Sequence, residues 1–289
     1  MATITHMKDL MGNTTFEPPC NIFYGICRDT VKNANMVMGY TTSGPDMRNQ
    51  RHYHINCEVG QYRIKGHDRI LIGPDHDQQI LDVAPGDFVY IPKGEIHGAV
   101  GQGEMCELIF CYAGVNSKED SGTVFVEPAW EKRPHPQSSA RESSGGQAKT
   151  ETPKGKGKTM ARVIRTPRED MVYAEPLVTG VGIDNKTVPK VRMVMGTSIM
   201  PPGERNRRHY HVNADLGMFK IKGHDRLLIG PDHEMQEMDF KDGDFVYIPK
   251  GEIHGAINLD NQRGLLVLCY VGVGSVEETQ KIYVEPPMK

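Results

Sequence analysis

Apolar positions along the chain come in short bursts separated by Gly, Pro and Asp. Met36–Tyr40, Tyr62–Lys65, Arg69–Gly73, Phe88–Pro92 and Leu108–Tyr112 are four or five residues long and rich in β-branched and aromatic side chains. That pattern predicts strands, because such side chains fit a pleated, half-buried surface. Lys65-Gly-His-Asp-Arg69 predicts a tight turn between two of them, with Gly66 supplying a backbone angle other residues avoid. No stretch keeps helical periodicity over a dozen residues. The expected fold class is all-β, a sandwich or barrel of short strands.

The strand pattern is written twice. Arg48–His76 returns as Arg205–His233 at a constant offset of 157, without gaps. GDFVYIPKGEIHG stands unchanged at Gly86–Gly98 and Gly243–Gly255, and 40 of the 63 positions from Met36 to Gly98 are identical to their counterparts. After one inserted residue Tyr112 matches Tyr270, and VFVEP at 124–128 matches IYVEP at 282–286. Two copies are too few for a solenoid, and each is long enough to close its own core. The expected organisation is a domain at 1–130, a polar flexible linker at 131–160 and a second domain at 161–289. Residues 131–159 carry seven basic and three acidic residues, and their only aliphatic side chains are Ala140 and Ala148. Such a segment cannot bury enough apolar surface to offset its ordering entropy, so a tether is expected.

Composition agrees with many turns: the 289 residues include 31 Gly and 19 Pro. Net charge is −3, with no basic field for a nucleic acid, and no apolar run approaches the ~18 residues of a membrane span. A soluble, cytoplasmic protein binding neither nucleic acid nor membrane is the expectation. The six cysteines lie at irregular spacings without a CxxC, which predicts thiols instead of a disulfide framework. Cys57, replaced by Ala214 in the second copy, reads as a packed small hydrophobe.

The 12 histidines carry the chemistry. His52 and His54 are two apart, so on a strand both rings face one way, and Glu58 is four further on in the same phase. His209, His211 and Asp215 repeat the arrangement. A further histidine, His97 or His254, follows the Pro-Lys-Gly turn. Three imidazoles and a carboxylate make a site for a divalent first-row metal: Fe, Mn, Ni, Cu or Zn, but not Ca or Mg. Four ligands on an octahedral ion leave two positions open. Asn56, Asn213, Tyr62 and Phe219 share strand phase with these ligands and are expected to line the pocket. Arg48 and Arg205, also in phase, are expected to bind a substrate carboxylate. His67, His224, His76 and His233 fall at turn signals and read as turn residues.

Both copies resemble the cupin family. Its first motif, G(X)5HXH(X)3,4E(X)6G, is matched by His52, His54 and Glu58, while the opening glycine and the spacing to Gly66 fit it only loosely. Its second, G(X)5PXG(X)2H(X)3N, is matched by Gly86, Pro92, Gly94 and His97, and in full by Gly243, Pro249, Gly251, His254 and Asn258. The resemblance implies two tandem jelly-roll β-barrels, a bicupin, with metal ligands His52, His54, Glu58 and His97 in one barrel. His209, His211, Asp215 and His254 would be the set in the other. Two positions depart from it: Asp215 replaces the family's Glu, and Gly101 takes the place of the closing Asn. The leading functional expectation is an Fe(II)-type dioxygenase oxidising a small oxygenated, aromatic-like substrate with O2, Glu58 tuning the metal or acting as base. The alternatives are a manganese-dependent carboxylate lyase similar to oxalate decarboxylase, and a non-enzymatic binding cupin. Barrel edges are expected to pair with another barrel, within the chain or in a homo-oligomer.

Overall fold

A computed structural model of the protein describes residues 1–127, 161–165, 172–174 and 176–286. The tether expected at 131–160 lies outside the described residues. Every predicted strand is present: Met36–Ser43, Glu58–Lys65, Asp68–Ile72, Phe88–Ile91 and Cys106–Ala113. Besides strands, the described residues contain only single turns of 3-10 helix. No helix among them is long and apolar enough to cross a membrane.

Each repeat folds as two facing antiparallel sheets. In the first, a five-stranded sheet carries His52–His54 beside His97–Gly101, and a six-stranded sheet carries Glu58–Lys65 beside Cys106–Ala113. The second repeat has a five-stranded sheet with His209–His211 beside His254–Asn258, and a seven-stranded sheet around Asp215–Lys222. Gly66 adopts φ +79° and Gly223 φ +107°, as the turn requires. The strands flanking that turn do not pair as a hairpin, however. Glu58–Lys65 stays in the six-stranded sheet while Asp68–Ile72 joins the five-stranded one, so the turn is a barrel corner.

Three cores result. One fills each barrel, around Val59, Ile70 and Phe110 in the first and Leu216, Leu227 and Phe240 in the second. The third lies between the barrels, where the outer faces of the two large sheets meet, Met36, Met38 and Phe88 of the first repeat against Met193, Met195 and Phe245 of the second. Side chains alternate along a strand, so Glu58–Lys65 packs Val59 into its own barrel and turns Gly60 to the other, where an added Cβ would stand 2.7 Å from Met193 Sδ. Phe245 covers Gly25 and Phe88 covers Gly182 so closely that a Cβ at either glycine would lie 2.1 Å from the ring. This contact joins sheet faces; edges of the two repeats pair separately, through Thr3–His6 and Arg162–Ile164.

The repeats also exchange strands. Thr3–His6 pairs antiparallel with Asp244–Ile248 of the second barrel, and His6 Nδ1 lies 2.6 Å from Asp244 Oδ1. Reciprocally, Arg162–Ile164 pairs with Phe88–Ile91 of the first barrel, and Arg165 Nη1 donates to Asp87 at 2.8 Å. All six cysteines are buried and free of disulfides.

Candidate metal centres

Two clusters of three histidines face the barrel interiors, His52, His54 and His97 in one and His209, His211 and His254 in the other. All six rings are buried, and in each cluster the ligand nitrogens lie within 4.8 Å of one another. The HxH strand supplies two rings on one face, and antiparallel pairing sets His52 opposite His97 and His209 opposite His254. Those cross-strand rings stand 4.4 Å apart, centroid to centroid, in both barrels.

Hydrogen bonds fix which nitrogen each ring turns inward. Nδ1–H of His52, His97, His209 and His254 donates to the backbone carbonyls of Gln50, Glu95, Arg207 and Glu252 at 2.8–2.9 Å. Thr279 Oγ1 donates to Val276 O at 2.7 Å, so it accepts from His211 Nδ1–H at 3.0 Å. Ser121 Oγ likewise donates to Lys118 O, leaving Thr123 to donate to Ser121 and accept from His54 Nδ1–H at 2.9 Å. Every ring therefore presents a bare Nε2 lone pair, oriented by a second layer of acceptors, as metal-ligating imidazoles are. His54 Nε2 and His211 Nε2 are buried without a hydrogen-bond partner. Burial holds the imidazoles neutral: His52 and His254 are pushed down to about 4 and His97 to about 3. His54, His209 and His211 are also lowered, by burial first and neighbouring rings second. Neutral, convergent and unpartnered nitrogens fit a divalent transition metal.

The carboxylates expected beside the histidines are placed elsewhere. The chain bends at Ile55 and Asn56 and passes from the small sheet to the large one, which moves Glu58 out of phase with His52 and His54. Glu58 faces the space between barrels, where it accepts from Tyr90 Oη and from Arg192 N–H, both at 2.8 Å. Asp215 accepts from Lys250 N–H at 2.9 Å and bonds Tyr247, which in turn bonds the backbone of Asn35. The longer Glu58 reaches the other repeat directly, whereas the shorter Asp215 does so through a tyrosine.

The same change of phase relocates the expected pocket residues. Tyr62 packs on Phe88, and Phe219 stacks on Tyr40 at 5.8 Å, both rings belonging to the contact between barrels. Asn56 and Asn213 donate to the carbonyls of Asp120 and Glu278 on the loops nearby. Arg48 is committed to the buried Glu127, which Arg51 also binds at 2.7 Å, and Arg205 with Arg208 holds Glu285 in the same way. These arginines clamp the last strand to the HxH strand. The glutamates belong to the VFVEP and IYVEP strings, whose retention in both copies was the available signal. His67, His76 and His233 are exposed at turns, while His224 begins the strand His224–Ile229.

Two charged groups absent from the sequence reading stand beside the triads. Glu17, 8% exposed, places Oε1 3.5 Å from His52 Nε2 and accepts from Tyr112 Oη at 3.3 Å and Asn49 Nδ2 at 3.4 Å. Burial pushes its pKa up, against the pull of His97 and the two donors. It lies on the segment before the strand Asn21–Ile26, more than thirty residues from His52, where no spacing motif marks it. Lys281 pairs in register with His211 and lines the cavity of the second triad. Its ammonium is lowered to about 8 by burial, then by Arg207, and it disfavours protonation of all three histidines. Thr123 holds the matching register position in the first barrel.

The cavities differ accordingly. The first, about 60 Å³, runs from the triad past Glu17 and Gln61 to a buried Arg63–Asp68 ion pair. The second, about 80 Å³, is walled by Leu216, Met218, Phe240 and Leu268 and ends at a buried Lys220–Asp225 pair.

Residues 196–271 match the family model described as Cupin domain. No curated protein sequence matches the chain. Among solved structures, oxalate decarboxylase from Bacillus subtilis at pH 4.6 superposes with a TM-score of 0.74 at 17% identity, over 98% of this chain and 78% of that one. A second structure of that enzyme, from work on its Mn(II) centres, gives 0.75 at 16% identity over 98% and 79%. At such identity the likeness is one of fold. With the family match inside the second repeat and the same barrel and triad in the first, the chain has the bicupin fold, two tandem cupin barrels.

Proposed function

We propose that the protein is a divalent-metal enzyme acting on a small carboxylate, with a manganese-dependent lyase as the closest chemical type. The observation that carries this reading is the second site, where the three neutral imidazoles converge and where His209, His254 and Lys281 line a largely apolar cavity. His209, His211 and His254 would hold one ion and His52, His54 and His97 another. A bound ion would supply Lewis-acid charge to a coordinated oxygen.

The protein's own groups do the remainder. Lys281 has no carboxylate partner among the described residues, so its charge is available to an anionic substrate. Leu216, Met218 and Leu268 exclude water and strengthen that attraction by lowering the local dielectric. In the first barrel, Glu17 can hold or release a proton next to the triad, with Tyr112 and Asn49 fixing its orientation. The solved proteins of like fold include a decarboxylase with Mn(II) centres, which favours the same class. An Fe(II) dioxygenase would use the same open triads, but no group beside them selects iron or O2.

The test is to load the metal-free protein with Mn(II) or Fe(II) and follow CO2 and O2 together, with oxalate and other small carboxylates. The reading expects CO2 release without matching O2 consumption, and a KM raised at least tenfold in Lys281→Met. Stoichiometric O2 uptake with catechols or diketones would replace it by the dioxygenase. Turnover of neither class would remove the enzyme reading.

A further inference from the structure

The first triad lacks the carboxylate its motif announces, because Glu58 is spent on the contact between barrels. Its two oxygens are taken by Tyr90 Oη and Arg192 N–H, and the latter belongs to the other repeat. Swinging Glu58 toward the histidines would break both bonds in a buried setting, where an unpaired donor costs about 1–3 kcal/mol. Three neutral imidazoles do nothing to offset the charge of a dication, so an acidic group near the first triad has a clear electrostatic role.

We propose that Glu17 is the acidic group of the first metal centre, delivered by the segment before Asn21–Ile26 in place of the strand residue Glu58. Four observations meet at it. The carboxylate is buried, and its Oε1 stands 3.5 Å from His52 Nε2, one of the three inward-facing ligand nitrogens. Two ligands side by side on an ion at about 2.1 Å would stand about 3 Å apart, so this separation is close to that of a ligand pair. Tyr112 Oη and Asn49 Nδ2 hold the carboxylate from two sides, and the Tyr112 ring also packs on His54 at 4.7 Å. Finally, Glu17 lines the same cavity as all three histidines, and Glu58 does not.

The assignment rests on the reading of the triads as metal sites, and the test separates the two. In a His254→Ala background, which silences the second triad, Mn(II) binding is measured by calorimetry and by the electron paramagnetic resonance spectrum of the bound ion. Folding is checked by circular dichroism and melting. Glu17→Gln is expected to weaken Mn(II) at least tenfold and to change the spectrum, with Glu17→Asp falling between it and the parent. Glu58→Gln is expected to leave affinity within about twofold and to lower Tm instead. If the parent binds Mn(II) and Glu17→Gln matches it in affinity and spectrum, the assignment is overturned and the metal reading stands. The assignment also falls if a folded Glu58→Gln loses the metal. If the His254→Ala protein itself binds no Mn(II), both fall.

Discussion

At the residue scale, the six inward-facing histidines couple stability to pH. Each is held neutral in the folded protein, His52 and His254 down to about 4 and His97 to about 3, against about 6.5 when unfolded. Below pH 6.5 the unfolded chain takes up protons that the folded chain refuses, so stability is full above that value and is lost as pH falls toward about 4. Each imidazole contributes up to about 1.4 kcal/mol per pH unit across that window. The metal-free protein should show Tm falling steeply between pH 6.5 and 4, and Mn(II) should slow the fall. A flat profile would mean the rings are not buried neutral. Identity and spacing made the histidines legible in the sequence, because HxH on a strand and a histidine after Pro-Lys-Gly need only strand geometry to meet. Glu58 was misplaced by one change of phase at Ile55 and Asn56, which no hydrophobic pattern records. Glu17 and Lys281 were invisible for a different reason: they reach the triads through tertiary placement of segments that carry no motif.

Elements explain why the repeats hold together. Strand positions were readable from their β-rich bursts, but sheet membership was not, since a corner and a hairpin share the same Gly-containing turn. The exchanged strands were likewise hidden, because Thr3–His6 and Arg162–Ile164 are short and find their partners far away in sequence. Removing residues 1–9 should leave the strand Asp244–Ile248 as an open edge and destabilise the protein by roughly 2–4 kcal/mol, the worth of its few backbone hydrogen bonds. Hydrogen exchange should quicken first at Asp244–Ile248; unchanged protection there would contradict the exchange. Gly182→Ala tests the facing sheets. A Cβ 2.1 Å from the Phe88 ring must push that ring out of the shared core, at about 1–3 kcal/mol, whereas Gly203→Ala meets no such neighbour. Melting both variants side by side separates the clash from backbone strain, because only Gly203 has a positive φ, +70°.

On the scale of the whole molecule, one motif written twice has become two unlike sites. The barrels share a methionine-rich core, trade strands and spend the motif carboxylates on their contact, while Glu17 beside one triad and Lys281 beside the other make the two cavities chemically unlike. Duplication was plain in the sequence; this division was not, because it arises from residues outside the matched strings. Both triads are proposed to hold metal. Calorimetric titration of the demetallated protein with Mn(II), repeated on His97→Ala and His254→Ala, tests it directly. Two equivalents are expected for the parent chain and one for each variant. A parent that binds none, or variants that bind as the parent does, would contradict it.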